Sequence, residues 1–363
     1  MRAAGANVGR RDFLRLAGQA SVAALAILAG VRRAHALAAE VAKATSMDAK
    51  AALGASAAAA TRNSAAAFAP PAAHPASAPV RPASSVVDVT GSARVIDGLQ
   101  VDAGRVQEML ECSLTALAEV STAREAWGRY IRPGELILLK FDAPLGATLG
   151  TEHAILAAIL HSLRAAGYSW DQIRVADCEA ARYFSSLPAS PTGWSEHTVK
   201  VIDQPEHLRR YLENVHAIIN VPCLGDHRLL GVSCAMANVT LPFIRRPGRY
   251  LGDDLHQAVI DIALDGRAVR PVVLTIVNAL RCVFDGAPMV AEAMIVPQGE
   301  VWISTDPVAI DTLGADWLDS QRRRCKLPVL AQADRAPRFL ALAQEAGLGN
   351  ADLRHIVRRV HRV

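Results

Sequence analysis

Residues 135–177 hold the pattern that most narrows what this chain can become. Glu135–Phe141 (ELILLKF) is an apolar run of strand length, and Glu152–Ala166 (EHAILAAILHSLRAA) carries apolar side chains at helical spacing and stops at Gly167. Ile173–Asp177 (IRVAD) is strand-like again. A strand, a helix of about four turns and a second strand, closely joined, are the signature of a βαβ unit, which favours a parallel sheet and a right-handed crossover. The alternation continues with strand Val199–Asp203, helix Glu206–Leu212, strand His216–Val221, helix Asp254–Leu264, strand Val272–Val277, strand Val301–Ser304 and a helix from Pro307 to about Arg323. The expected fold is a three-layer α/β domain over 86–363 with a mainly parallel sheet, closed by a helical C-terminal tail, Arg338–Arg359.

Two segments precede that domain. Gly9-Arg10-Arg11-Asp12-Phe13-Leu14-Arg15 places paired arginines before a moderately apolar run, Leu16–Val31, and Ala34-His35-Ala36 supplies a small-x-small cleavage pattern. Residues 1–36 thus resemble a twin-arginine signal peptide, which implies the twin-arginine translocase as partner and a periplasmic destination. The run is too short and too diluted by Gly18, Gln19, Ser21 and Gly30 to read as a permanent membrane anchor. From 37 to 85, 21 of 49 residues are alanine and prolines recur at 70, 71, 75, 79 and 82, the composition of a disordered tether.

Charge then excludes a class of function. The chain has 39 Lys and Arg against 35 Asp and Glu, but the leader holds six of the arginines and one acid, leaving 33 against 34. A nearly neutral mature protein lacks the basic surplus that nucleic-acid binding needs.

In open parallel sheets, ligands sit beyond the carboxyl ends of the strands. The residues there are Lys140 and Asp142; Asp177, Cys178 and Glu179; Asn220, Pro222 and Cys223, leading to Asp226 and His227; Asn278 and Arg281; and Asp306. Asp306 and Asp311 belong to the sharpest local pattern, DPVAID. Asp306 has two readings, helix cap or ligand, whereas Asp311 one turn on is not needed to start a helix. Asp226-His227 in an expected loop offers a general base or a metal ligand. Lys140 ends an apolar strand, where it either snorkels to solvent or meets a carboxylate or bound anion. Cys112, Cys178, Cys223, Cys234, Cys282 and Cys325 contain no CxxC pair, which disfavours a four-cysteine iron–sulfur cluster and leaves buried thiols or one or two disulfides. Walker, GxSxG, HExxH and GxGxxG motifs are absent.

The strand ending in Lys140, AIINVPCLGDH (217–227), AMAN (235–238), DGAP (285–288) and STDPVAID (304–311) occur in order. Together they resemble the domain of unknown function 362 family, from about Leu136 to Leu318. The resemblance implies an α/β protein, exported in some members and fused to an iron–sulfur ferredoxin module in others; no such module is present in this sequence. Where the family carries two lysines and an acid, this chain has Gly225, Ala237 and Asn278. The expected function is an exported α/β protein acting on a small anionic molecule by proton transfer. Lys140 and Asn238 would orient the ligand, His227 or Asp311 would exchange the proton, and Asp306 with Asp226 are the candidates for a divalent metal. The alternative is a non-catalytic periplasmic binding or accessory protein with a degenerate site.

Overall fold

A computed structural model describes residues 85–363 except 267, 269, 270 and 287–289. The expected leader, nearly all of the expected tether, and Ala287 and Pro288 of the DGAP motif lie outside the described residues. Fourteen strands are described: β1 (Ser85–Gly91), β2 (Ile96–Asp97), β3 (Gln100–Val101), β4 (Ile137–Phe141), β5 (Ile173–Ala176), β6 (Trp194–Val201), β7 (Gln204–Arg209), β8 (Ala217–Val221), β9 (Cys223–His227), β10 (Gly231–Ser233), β11 (Val272–Val283), β12 (Ile295–Val296), β13 (Glu300–Ser304) and β14 (Ile356–Arg362). The helices are α1 (Ala103–Ala118), α2 (Ala123–Tyr130), α3 (Ala143–Leu149), α4 (Glu152–Ala166), α5 (Ala235–Asn238), α6 (Leu255–Leu264), α7 (Pro307–Arg324) and α8 (Phe339–Glu345).

The central sheet runs β14-β1-β13-β11-β8-β4-β5. Along that path β5, β4, β8 and β11 are mutually parallel and β13 alone runs against its neighbours; off it, β12 pairs antiparallel with β11, and β10 antiparallel with β9. Alternation along each strand divides the core into two layers. Ile137, Leu139, Ala217, Ile219, Leu274 and Ile276 pack with α1, α2 and α4, while Leu138, Ile218, Val277 and Trp302 pack with α6, α7, α8 and the β6–β7 hairpin. The three-layer, mainly parallel reading therefore holds.

α4 starts at Glu152 and ends at Gly167, which takes a left-handed φ of 105° and closes the helix on the Leu163 and Arg164 carbonyls. Between α3 and α4, Gly150 is also left-handed, φ 66°, and lets the chain turn sharply over the strand ends.

Three local expectations are corrected. Glu206–Leu212 is not an α-helix: Ile202 and Asp203 adopt φ of 43° and 63°, reversing the chain into a hairpin in which Glu206 and Leu208 are buried alternately on β7, and only Arg210–Leu212 is helical, as a 3-10 turn. The C-terminal tail is helical only over α8 and a 3-10 turn at Leu353–His355, because Ile356–Arg362 forms edge strand β14 parallel to β1, where Arg359 and His361 reach the buried Asp88. His227 ends a short strand, β9, paired with β10, instead of lying in a loop. All six cysteines are free.

Candidate functional site

β4 pairs in register with β5 and β8, so Lys140 lies between Ala176 and Asn220 on one face. The Lys140 side chain is 1% exposed, and its ammonium donates to Phe141 O (2.6 Å) and Asn238 Oδ1 (2.9 Å) and pairs with Asp177 Oδ2 at 3.0 Å. Three protons meet three acceptors, so the burial cost of the charge is offset internally. Burial pushes the lysine pKa down, opposed chiefly by Asp177. Asn238 in turn donates to Asn220 Oδ1 (2.8 Å) and Lys140 O, and Asn220 donates to Ala235 O. The two residues expected to orient a ligand are thus brought together, on β4 and α5.

Asp177 is where this network meets solvent. Its side chain is 26% exposed, its φ of 56° is left-handed, and it accepts from Tyr211 Oη at 3.1 Å. A non-glycine residue in that conformation at a strand end is a strained feature of the kind found at functional sites, and aspartate tolerates it better than most.

The two proposed proton-transfer residues are placed elsewhere. Asp311, fully buried on α7, accepts the backbone N–H groups of Ala235 (2.6 Å) and Met236 (2.9 Å). It caps α5 from outside, fixing the helix that carries Asn238; burial raises its carboxyl to about 7 against those two amides. His227 accepts N–H from Leu229 and Leu230 at Nδ1, which leaves its proton on Nε2 and occupies the lone pair a general base needs. Burial, with His256 nearby, lowers its pKa to about 4.

The candidate metal acids are spent separately. Asp306 caps α7 through Ala309 N and also accepts from Ser85 Oγ and Asn350 N. Asp226 pairs with Arg335 at 3.0 Å, and Arg335 also reaches Asp285. Among the described residues no three His, Cys, Asp or Glu side chains are arranged to hold a metal ion.

A second group fills the strand ends beneath α3. Glu152, 4% exposed, accepts Ala180 N–H at 2.8 Å through Oε2, and burial raises its pKa. Cys178 and Cys223 lie beside the acids, their thiol pKa values raised by burial and by Glu152 and Asp142 respectively. Asn278 on β11 donates to Thr151 Oγ1 at 2.8 Å, with its Nδ2 3.9 Å from Cys223 Sγ. Asp142 caps α3 through Leu145 N. Gly225 explains one departure from the family pattern: a Cβ there would stand 2.6 Å from Leu145 Cδ1 of α3, so the place of a longer side chain is filled by α3.

Lys140, Asp177, Cys178, Cys223 and Asn278 stand at the strand ends expected from the sequence, whereas Glu152 and Tyr211 are not among the expected site residues. Glu152 reads as an ordinary acid in a first helical turn, and Tyr211 fell in the segment read as a helix.

Residues 185–316 match the family model described as Domain of unknown function (DUF362). The resemblance is borne out over that stretch, which runs from before β6 into α7 and includes Asn220, His227, Asn238, Asn278 and Asp311. Lys140, Glu152 and Asp177 lie outside it. No curated protein matches the chain.

Proposed function

We propose that this is an exported α/β protein that exchanges a proton with a small anionic molecule at the carboxyl ends of β4, β5 and β8. The observation that carries this reading is the Lys140–Asp177 pair, in which a buried ammonium with lowered proton affinity faces a strained, partly exposed carboxylate. Lys140 and Asp177 take the proton-holding role in place of His227 and Asp311, whose acceptors are committed to backbone amides. Since the three Lys140 protons are already engaged, an incoming carboxylate or phosphate binds by displacing the Asp177 carboxylate. Tyr211 stays to donate to Asp177 as it moves. The leader at 1–36 supports export by the twin-arginine translocase to the periplasm.

Thermal melting of the full chain with small carboxylates and inorganic phosphate tests the reading. Wild type is stabilised by at least one of them, about 2.7 kcal/mol at 100 times its dissociation constant, and Asp177→Asn responds at lower concentration because the competing charge is gone. No response from either protein to any of these anions sinks the proposal.

A further inference from the structure

Among the described residues, two buried side-chain atoms have no hydrogen-bond partner: Glu152 Oε1 and Asn278 Oδ1. Native chains seldom leave such groups orphaned, and two within one cluster concentrate the cost where ligands bind. The cluster is continuous. Asn278 bonds Thr151, the residue before Glu152, and approaches Cys223, whose thiol lies in the field of Glu152 and Asp142. Gly146 of α3 covers Glu152, since a Cβ there would meet Oε1 at 2.8 Å.

The chemistry of the missing partner follows from the atoms. With Glu152 ionised both are acceptors, so an anion offering only lone pairs satisfies neither, and the partner must be a donor. Asp142, Glu152, Asp177 and Glu179 stand at these strand ends, while Lys140 has committed its protons. Arg182 turns outward over Tyr183, and Arg281 donates to Leu149 O and Gly98 O. A positively charged donor is therefore favoured. The adjoining rim has the matching character: His153 stacks on Phe184 at 5.3 Å and meets Tyr183 edge-on at 6.1 Å, and Tyr183 is 65% exposed. Aromatic faces attract cations, as Arg182 over Tyr183 at 5.0 Å already displays.

We infer that the strand ends beneath α3 bind the primary ammonium group of a small ligand, with Glu152 Oε1 and Asn278 Oδ1 as its acceptors. This deepens the reading above, resting on it only for the location of the site, and makes the ligand one that carries an ammonium as well as an acidic group.

Methylammonium chloride is the probe, applied to the full chain with sodium chloride and tetramethylammonium chloride as controls of equal ionic strength. Tetramethylammonium has the charge but no N–H. Methylammonium should raise the melting temperature above both controls. Glu152→Gln should weaken its effect about tenfold, and Asn278→Asp, which adds a carboxylate at the second acceptor, should strengthen it about tenfold. If methylammonium acts no differently from sodium, or if Asn278→Asp leaves its effect unchanged, the inference is overturned and the two oxygens are water sites only. Asn278→Asp decides the matter if Glu152→Gln does not fold. The binding is read without carboxylate or phosphate and with chloride common to every arm, so a failed carboxylate and phosphate screen would not imitate a failure here.

Discussion

Asp311 shows how a residue that looks catalytic in sequence can be structural in space. Its place in DPVAID was read correctly as not required by its own helix, but the helix it serves is α5, 75 residues earlier in the chain. No local signal carries that pairing, whereas Asp306 was legible as a cap because its partner, Ala309, is three residues away. The burial of Asp311 also yields a pH prediction. Its folded-state pKa of about 7 lies above the ordinary aspartate value of 3.8, so the folded state holds the proton more tightly. The associated stability is fully present below pH 3.8 and is lost as pH rises to 7, about 4 kcal/mol in all. Asp311→Asn cannot ionise and skips that loss. Urea denaturation at pH 4 and pH 7.5 should find the variant gaining on wild type by roughly that amount. A difference that stays flat with pH would mean that the two amides keep Asp311 ionised throughout.

At the scale of elements, what was legible and what was not divides by sequence distance. α4 was bounded correctly from its apolar spacing and Gly167, and α7 from Asp306-Pro307, because their determinants are local. β14 was hidden, since Ile356–Arg362 becomes a strand only by pairing with Ser85–Gly91 at the other end of the domain. Its anchor is Asp88, fully buried, which receives Arg359 at 2.6 and 2.9 Å and His361 at 2.7 Å. Removing one partner of a buried charge strands the other. Arg359→Met should therefore cost about 3 kcal/mol in chemical denaturation, while Arg354→Met, whose guanidinium is 86% exposed on Asp352, should cost under about 1 kcal/mol. Equal losses from the two substitutions would refute the anchoring role of Asp88. The candidate site divides the same way: strand ends are readable from sequence, but the convergence of β4, β5, α5 and β11 on one polar cluster is a product of the sheet order.

For the whole molecule, the fold described over 85–363 and the leader proposed at 1–36 are separate features that one experiment can join. Among the described residues no single helix is long and apolar enough to cross a membrane. The buried network around Lys140 forms only when β4, β5, β8 and α5 are assembled, so a chain delivered through the proposed route would arrive with its site complete. That route accepts folded passengers and, on this proposal, reads the paired guanidinium groups of Arg10 and Arg11, not charge alone. Arg10→Lys with Arg11→Lys conserves charge but should leave a full-length precursor in the cytoplasm. Wild type should yield a periplasmic species starting near Leu37. Fractionation with N-terminal sequencing separates the outcomes: periplasmic double-lysine protein at wild-type levels would end the export proposal. A wild type retained in the membrane with Leu16–Val31 uncleaved would replace it with an anchored protein, in which the 49-residue alanine- and proline-rich tether spaces the domain from the bilayer. The precursor held in the cytoplasm should still bind the same ligands, because the Lys140 and Glu152 clusters draw on no residue before Gly98.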